Sequence, residues 1–274
     1  MSDSSIDTAS TSMSERNIPW YQHSPLFKDM GDIGHALPVI SNNEWPSHDD
    51  LMRVLSLKDV RLTSQKALDD SGMGYEAYIA KYNAVPTRPN WHDLFNAIIW
   101  HQFPLTKRTF NHLHQQDLEL TDRHRSTRRD ALTLLDECGV ILAISEKKWR
   151  AMLTQHQWHE FFWQHRREWG QTIKPFVVGH ALYEQAFKPF IGWCAKAVFI
   201  DVEDDFFLAD RAIQYQVLDQ RLSSKLNTLL KPKQLLPLPI LAVPEWNETP
   251  IEPSYLAQEN YFRPARKQSP YIAF

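Results

Sequence analysis

The strongest constraint on the fold is an amphipathic stretch that runs from Asn90 to Phe103, immediately before Pro104. With a helical period of 3.6 residues, this stretch places several apolar side chains on one face. They are Trp91, Leu94, Phe95, Ile98 and Ile99. Because Pro104 cannot continue a helix and restricts the residue before it, the helix is predicted to end near Phe103. The chain therefore contains a rigid helix with one face in a core and the other available for polar groups.

The rest of the chain also favours helices over strands. Helical periodicity predicts further helices over residues 47–57, 75–83, 106–116, 129–138 and 209–230, and another that begins after Gly179. Apolar runs predict strands at 140–144 and 197–200. Residues 146–169 carry aromatic side chains at helical spacings, and residues 18–48 are expected to form irregular surface structure. From Lys231 onward, frequent prolines exclude a helix and favour an extended path.

Length and composition indicate a globular protein with one core. The 274 residues are 43% hydrophobic and 23% charged, which suffices for a core that needs no disulfide bonds. No stretch between residues 18 and 262 resembles a linker between two domains. We therefore predict a mainly α fold with a few short strands (α+β), as a single compact helical domain over residues 18–274. Residues 1–17 are rich in Ser, Thr and Asp and are predicted to be a disordered tail.

Several classes of protein are disfavoured by the same composition. The net charge of −3 provides no general basic field, so nucleic acid is an unlikely partner. No apolar run approaches the roughly 18 residues that a membrane-spanning helix needs. Two cysteines are too few for a disulfide framework, which favours a reducing, cytoplasmic location. Eight glycines form neither a dinucleotide-binding fingerprint nor a Walker loop.

The polar side of the helix that begins at Asn90 carries a first group of candidate site residues. His92 and Asn96 lie one helical turn apart there, and Asp93 lies near them. A neutral imidazole near a helix N-terminus can bind a metal ion or accept a proton. Asp93 also suits a purely structural role, because a carboxylate at the third helical position satisfies free backbone N–H groups. Both roles stay open for Asp93 from the sequence alone.

Two carboxylates at the end of the 129–138 helix form a second group. Asp136 and Glu137 share the polar side of that helix with Asp130. They oppose the negative end of the helix dipole, at a cost of about 0.3–1 kcal/mol each if unscreened. A cation is therefore expected beside them, either a metal ion or an arginine such as Arg129 or Arg88. The alternative is an exposed pair that salt screens. Gly139 is placed for the C′ position that follows this helix.

A third group follows a short apolar run at residues 176–178. His180 and Glu184 lie one turn apart on the helix after Gly179, at a position from which side chains often reach a cleft. Lys107 and Asn111 share a stripe of the 106–116 helix. The basic run of residues 123–129 could hold phosphate through arginine side chains, although such runs are often only solvated. A core histidine is the structural alternative for His180.

These residues carry a resemblance to a known family. The chain resembles a bacterial family called domain of unknown function 3025 over most of residues 75–265. The resemblance rests on Pro86-Thr87-Arg88, Asn90 to Ala97, Trp100, Phe103-Pro104, Lys107, Arg129 to Thr133, Asp136-Glu137, Gly179 to Leu182, Glu184 and Tyr261 to Pro264. Glu245 stands where the family usually has glycine. The resemblance implies a bacterial, soluble, single-domain protein, and it implies no activity.

Together these observations lead to the hypothesis of an enzyme with a His/Asp/Glu site, specifically a metal-dependent hydrolase of an anionic, phosphorylated substrate. The predicted catalytic residues are His92, Asp93, Asn96, Asp130, Asp136, Glu137, His180 and Glu184. The predicted substrate-binding residues are Arg88, Lys107, Asn111 and Arg129. The predicted ligands of a divalent metal are His92, Asp93 and His180. Two alternatives stay open: a module that binds a nucleotide or another anionic ligand without turnover, and a purely structural ion network. The sequence leaves the oligomeric state open.

Overall fold

Helices make up most of the molecule, as the sequence predicts for a mainly helical α+β fold. The computed structural model describes residues 19–37, 45–57, 60–120, 126–244, 246–247 and 251–265. The α-helices there are α1 (Gly31–Ala36), α2 (His48–Leu55), α3 (Gln65–Ser71), α4 (Tyr75–Tyr82), α5 (Trp91–Gln102), α6 (Pro104–Leu120), α7 (Thr127–Cys138), α8 (Lys148–Thr154), α9 (His180–Gln185) and α10 (Arg211–Lys225). The predicted tail at residues 1–17 and the position of Glu245 lie outside the described residues.

Two small sheets accompany the helices. The strands are β1 (Arg61–Thr63), β2 (Ala84–Pro86), β3 (Gly139–Ile144), β4 (Ile173–Val177), β5 (Cys194–Asp201) and β6 (Leu236–Pro239). Strands β1 and β2 form a parallel pair, and the larger sheet has the order β4-β3-β5-β6. In that sheet β3 runs parallel to β5, while β4 and β6 are antiparallel to their neighbours. All six residues of β3 are buried, as expected for a central strand.

The helix starts that the sequence predicts are confirmed by their caps. The Ser47 side chain accepts a hydrogen bond from Asp50 N at the start of α2, and Asn90 Oδ1 accepts one from Asp93 N at 2.8 Å at the start of α5. Pro104 ends α5 as expected and also begins α6. The N–H groups of Leu105 and Thr106 have no acceptor within the helix, because they lie in its first turn. They donate instead to the Asp219 carboxylate, at 2.9 and 2.7 Å. A residue of α10 thus caps α6.

The predicted irregular structure of residues 18–48 is wrong for much of that segment. Two 3₁₀ turns, Trp20–Gln22 and Pro25–Met30, lead directly into α1. Leu26, Phe27 and Met30 are buried in the main core. Short helical turns form here because burying these side chains outweighs the weak helical preference of a segment rich in Pro, His and Gly.

The aromatic segment at residues 146–169 is not one continuous helix. Helix α8 ends at Thr154, and His156 follows with a positive φ of 53°. A π-helical turn, Glu160–Gln164, and a 3₁₀ turn, Arg166–Glu168, complete the segment. A continuous helix would bury one face only, whereas these breaks let Trp149, Phe161, Phe162 and Trp169 pack edge-to-face or stacked in one cluster. All four of these aromatic residues belong to the main core.

Residues from most of the described chain contribute to one main core. One cluster of buried apolar residues extends from Trp20 to Phe262, and a second, small one contains Leu68, Tyr78 and Ala84. The proline-rich part after Lys231 contributes β6 and short 3₁₀ turns, so it is extended only in part. Within the described ranges, the helices are all too short or too polar to cross a membrane.

Two glycines bring the end of α7 and the start of α9 into backbone contact. Gly139, predicted at the C′ position, follows α7 directly, but with φ −77° and ψ 140° it is extended and begins β3. Glycine is needed there for another reason: a Cβ would lie 2.1 Å from Leu135 O. A Cβ on Gly179 would lie 2.1 Å from Gly139 N, and Gly179 N donates to Gly139 O at 2.9 Å. Only glycine permits this close approach.

We expect the substitution Gly179→Ala to destabilise the fold by about 3 kcal/mol or more, because the added methyl group meets backbone atoms that cannot rotate away. Gly74→Ala is the matched control, since a Cβ at Gly74 meets nothing within 4 Å. Urea unfolding of both variants measures the difference. A Gly179→Ala protein as stable as Gly74→Ala would show that the two backbones do not approach as described.

Candidate metal centre

Three helices that are distant in the sequence meet at one place. Helix α9 packs against both α5 and α7. His92 lies in the first turn of α5, Glu137 in the last turn of α7, and His180 at the first position of α9. The Gly139–Gly179 contact holds the end of α7 beside the start of α9, so Glu137 and His180 face each other.

The two imidazoles and the Glu137 carboxylate converge on a common space. His92 Nε2 and His180 Nε2 are 3.0 Å apart, and His180 Nε2 is 3.6 Å from Glu137 Oε2. The ligand-capable atoms of these three residues all lie within 4.8 Å of one another. Two imidazole nitrogens and one carboxylate oxygen at such spacing can serve as ligands of a single divalent ion.

Glu184 holds the outer side of His92. His92 Nδ1 lies 3.0 Å from Glu184 Oε2. Because a carboxylate only accepts hydrogen bonds, this contact assigns the proton of the neutral ring to Nδ1 and leaves Nε2 with a lone pair. That lone pair points toward His180 and the common space. A carboxylate that hydrogen-bonds the far nitrogen of a histidine is the usual outer partner of a metal-bound imidazole.

His180 is buried and disfavours the protonated state. Its side chain is 5% exposed. Burial lowers the pKa of His180 to about 4, an effect that nearby Lys107 and His92 strengthen and that Asp136 partly opposes. The ring is therefore neutral near pH 7 and can offer a nitrogen lone pair. Burial also raises the pKa of Glu137, and the neighbouring carboxylate of Asp136 adds to the rise. A cation beside Glu137 would relieve this cost.

The sequence predicts a cation beside the carboxylates at the end of α7, and Lys107 lies there. Its side chain is 5% exposed, and its Nζ donates to Asp136 Oδ1 at 2.5 Å. Burial alone would raise the pKa of Asp136, but the ammonium group of Lys107, together with His180 and His114, holds that pKa below its ordinary value. The sequence had suggested Arg129 or Arg88 for this position. Lys107 takes it because α6 packs against α7.

Asp93 lies apart from the converging imidazoles. Its carboxylate accepts hydrogen bonds from the Arg88 backbone N at 2.6 Å and from Arg88 Nε and Nη2 at 2.9 and 3.0 Å. Both oxygens are thus used to hold the loop that precedes α5. These contacts are structural but differ from the predicted role, in which the carboxylate would accept from N–H groups of the helix start. The carboxylate that lies near both imidazoles is that of Glu137.

Two predicted polar residues bind to α4, which the sequence reading had not connected with the site. Asn96 is buried and donates from Nδ2 to the Tyr75 hydroxyl at 3.1 Å. Asn111, a predicted substrate-binding residue, donates from Nδ2 to Glu76 O at 2.8 Å and to Glu76 Oε2 at 2.6 Å. Burial raises the pKa of Glu76. Tyr75 and Glu76 could be found only from the tertiary contacts of α4 with Asn96 of α5 and Asn111 of α6.

The remaining predicted residues lie at the start of α7. Arg129 N donates a hydrogen bond to Ser126 Oγ, which caps α7. The positive charge of Arg129 acts to lower the pKa of both Glu76 and Asp117. Asp130 is half-buried in the first turn of the helix and has interactions of its own. Arg128 pairs with Asp117. Residues 121–125, which hold much of the basic run proposed for phosphate binding, lie outside the described residues.

We expect Glu76→Gln to become more stabilising, relative to the parent, as pH rises from 4 to 7. The pKa of Glu76 is higher in the fold than in the unfolded chain. Its contribution to stability is therefore full below the ordinary pKa of 4.5 and is lost as pH rises through the folded value. Glutamine imitates the protonated acid and still accepts from Asn111. Urea unfolding at several pH values measures this, with exposed Glu119→Gln as control. Parallel pH profiles for parent and Glu76→Gln would contradict it.

Comparison with known proteins identifies the family but no activity. The sequence matches the family described as "Protein of unknown function (DUF3025)" over residues 60–266. No curated protein and no solved structure matches it. The matched region contains all three helices that meet at the candidate metal centre. Since the match covers well over half of the chain, the protein belongs to this family of unknown function.

Proposed function

We propose that the protein binds one divalent metal ion through His92, His180 and Glu137 and uses it for hydrolysis. The observation that carries the proposal is the convergence of the two Nε2 atoms, 3.0 Å apart, with a carboxylate oxygen 3.6 Å from one of them. A hydrogen bond between the rings is the structural alternative. The Glu184–His92 contact is compatible with both, because it leaves His92 Nε2 with a lone pair; the Glu137 carboxylate beside a buried, neutral His180 is what favours a metal ion.

The ligand set favours a borderline metal ion. Two imidazoles and one carboxylate suit Zn, Mn or Fe, and a three-residue set leaves coordination positions for water or substrate. Glu184 acts from the outer side, where it orients the His92 ring. The side chains of His92, Glu137 and Glu184 are 35%, 38% and 49% exposed, so a substrate can approach from the solvent side. Buried His180 closes the opposite side.

Hydrolysis is the reaction that this arrangement supports best. When bound, a divalent ion polarises a phosphoryl or carbonyl oxygen and lowers the pKa of bound water. The chain contributes Glu184, which lies outside the three ligands, holds the proton of His92 on Nδ1 and so would keep His92 Nε2 available to the ion. An anionic substrate, a phosphate ester in particular, fits the positive charge that the ion would bring.

Part of the predicted site is better explained as structure. Arg88 pairs with Asp93, and buried Lys107 pairs with Asp136. These contacts occupy two of the four groups proposed to bind the substrate, and Asn111 is occupied by Glu76. The alternative of a purely structural ion network therefore accounts for these two ion pairs. A module that binds an anionic ligand without turnover keeps the same metal ligands, and only an activity assay separates it from an enzyme.

We expect the protein, purified without chelators, to contain close to one equivalent of a divalent transition metal. His92→Ala, His180→Ala and Glu137→Gln each remove one ligand and should abolish stoichiometric binding. His159→Ala is the matched control, because His159 is exposed and far from the three ligands in the chain. Elemental analysis of parent and variants measures the content, and circular dichroism checks the fold. Absence of metal from the parent, also after incubation with Zn, Mn or Fe salts, would overturn the proposal.

We expect Glu184→Gln to weaken metal binding without abolishing it. Loss of the outer carboxylate weakens metal affinity by about 10- to 100-fold without removing a ligand. Competition with a chromophoric chelator measures this affinity. An affinity equal to that of the parent would show that the Glu184–His92 contact does not support metal binding.

We expect metal-dependent hydrolysis of a chromogenic phosphate ester, which is lost on chelation and restored by added metal. Glu137→Gln should reduce the rate at least 100-fold, because it removes a ligand while preserving the size of the side chain. Glu119→Gln serves as an exposed carboxylate control on α6. Phosphate monoesters, phosphodiesters and carboxylic esters form the test panel. A metal-loaded protein that hydrolyses none of them would favour the binding module instead.

A further inference from the structure

An exposed apolar turn connects α9 to β5. Phe190 and Ile191 are consecutive there, and their exposed fractions are 52% and 66%. The preceding Pro189 is exposed as well, and we call residues 189–191 the apolar tip. A single exposed apolar residue is ordinary, but adjacent large ones form a patch of the kind that marks contact with an apolar partner.

The backbone of this turn is firmly anchored. Trp193 N donates to Phe190 O at 3.1 Å and closes the turn, and Gly192 has φ 100°, a conformation that favours glycine. Trp193 itself is 3% exposed. Its Nε1 donates to Gln185 Oε1 at 2.7 Å, and its carbonyl oxygen accepts from the Tyr261 hydroxyl at 2.6 Å. The folded chain therefore holds the apolar tip in solvent.

The charge around the apolar tip is positive. Lys188 precedes it and is exposed, without an ion pair in the part of the chain that the structure describes. Burial raises the pKa of the Cys194 thiol to about 11, and the charges of Lys196 and Arg263 oppose this rise. Both cations therefore lie near the start of β5, at the other end of the turn. From 185 to 200 the sequence contains two lysines and no acidic residue.

A lipid bilayer fits this surface better than a protein partner does. Two half-exposed side chains offer far less area than the roughly 800 Å² that each partner of a stable protein complex buries. Binding at a bilayer surface needs only a few apolar side chains at the level of the headgroups, together with cations that attract anionic lipids. Such binding lies on the bilayer and requires no membrane-spanning helix.

We propose that the apolar tip inserts into the surface of an anionic lipid bilayer. Phe190 and Ile191 enter the boundary between headgroups and acyl chains, where water is excluded from them. The positive charges of Lys188, Lys196 and Arg263 attract the lipid phosphates, and each strengthens binding about fivefold at low salt. The binding is reversible, because two side chains bury little apolar surface. It uses none of the three proposed metal ligands.

The test is flotation of the full-length protein with lipid vesicles at low salt. One set of vesicles contains phosphatidylcholine alone, and the other contains phosphatidylcholine and phosphatidylglycerol in equal amounts. We expect binding to the anionic vesicles to be at least about tenfold tighter and to weaken as salt screens the cations. Addition of a chelator should leave vesicle binding unchanged, so failure of the metal proposal is distinguishable from failure of this one.

Apolar variants test the tip itself. The double substitution Phe190→Ser and Ile191→Ser should weaken binding to the anionic vesicles about tenfold or more, because it removes the apolar surface that inserts. Leu208→Ser is the matched control. Leu208 is 89% exposed, but Asp205 and Asp210 flank it, so an anionic bilayer repels its surroundings. Leu208→Ser should bind like the parent, and circular dichroism checks that both proteins are folded.

Charge variants test the cations. Lys188→Glu should weaken binding to the anionic vesicles more than about fivefold, because it replaces an attractive charge beside the tip with a repulsive one. Lys81→Glu changes the net charge by the same amount on the exposed side of α4 and should have little effect.

Three outcomes would overturn the proposal. The first is a parent protein that binds neither kind of vesicle. The second is equal weakening by Leu208→Ser and the double serine variant, or by Lys81→Glu and Lys188→Glu, which would show adsorption without a role for the tip. The third is a double serine variant that changes the oligomeric state in lipid-free sedimentation while its vesicle binding equals that of the parent. That result would assign the tip to a protein interface.

Discussion

The arrangement of the candidate site depends on one backbone contact, between Gly139 and Gly179. A Cβ atom on Gly179 would meet the main chain of Gly139 and Cys138, and a Cβ atom on Gly139 would meet Leu135 O and the Val178 side chain. This contact joins the last turn of α7 to the first residue of α9, and it also forms where β3 begins and β4 has just ended. The position of Glu137 relative to His180 is therefore set by the sheet and not by the loops around it.

Near this contact, some charged side chains form ion pairs that hold the structure, and others stay available to bind an ion. Asp136 and Glu137 are neighbours in the sequence, yet Asp136 faces buried Lys107 while Glu137 stands near His180. One carboxylate is in direct contact with a permanent cation, and the other lies beside the neutral imidazole of His180. The same division occurs on α5, where Asp93 is held by Arg88 and His92 reaches the common space. Each helix thus supplies one residue that fixes the structure and one that remains available for chemistry.

Much of the helical framework could be predicted from the sequence, because caps and proline positions act locally. Asn90, Ser47 and Pro104 mark helix boundaries where the structure has them. The dipole misfit at Asp136 and Glu137 correctly indicated a nearby cation, but its identity as Lys107 depended on tertiary packing. The same limit explains why residues 18–48 were expected to be irregular and why Tyr75 and Glu76 were not connected with Asn96 and Asn111. Contacts between distant helices leave no periodic trace in a single sequence.

The distance along the chain between the two histidines has a consequence for how an ion would relate to folding. His92 and His180 are 88 positions apart, and Glu137 comes from a third segment between them. An unfolded chain cannot hold these groups together, so an ion captured by all three can bind only the native state. Such selective binding shifts the folding equilibrium by mass action, and stability then rises with the logarithm of free metal concentration. The concentration of free ion around the protein would thereby set the fraction of chains that is folded.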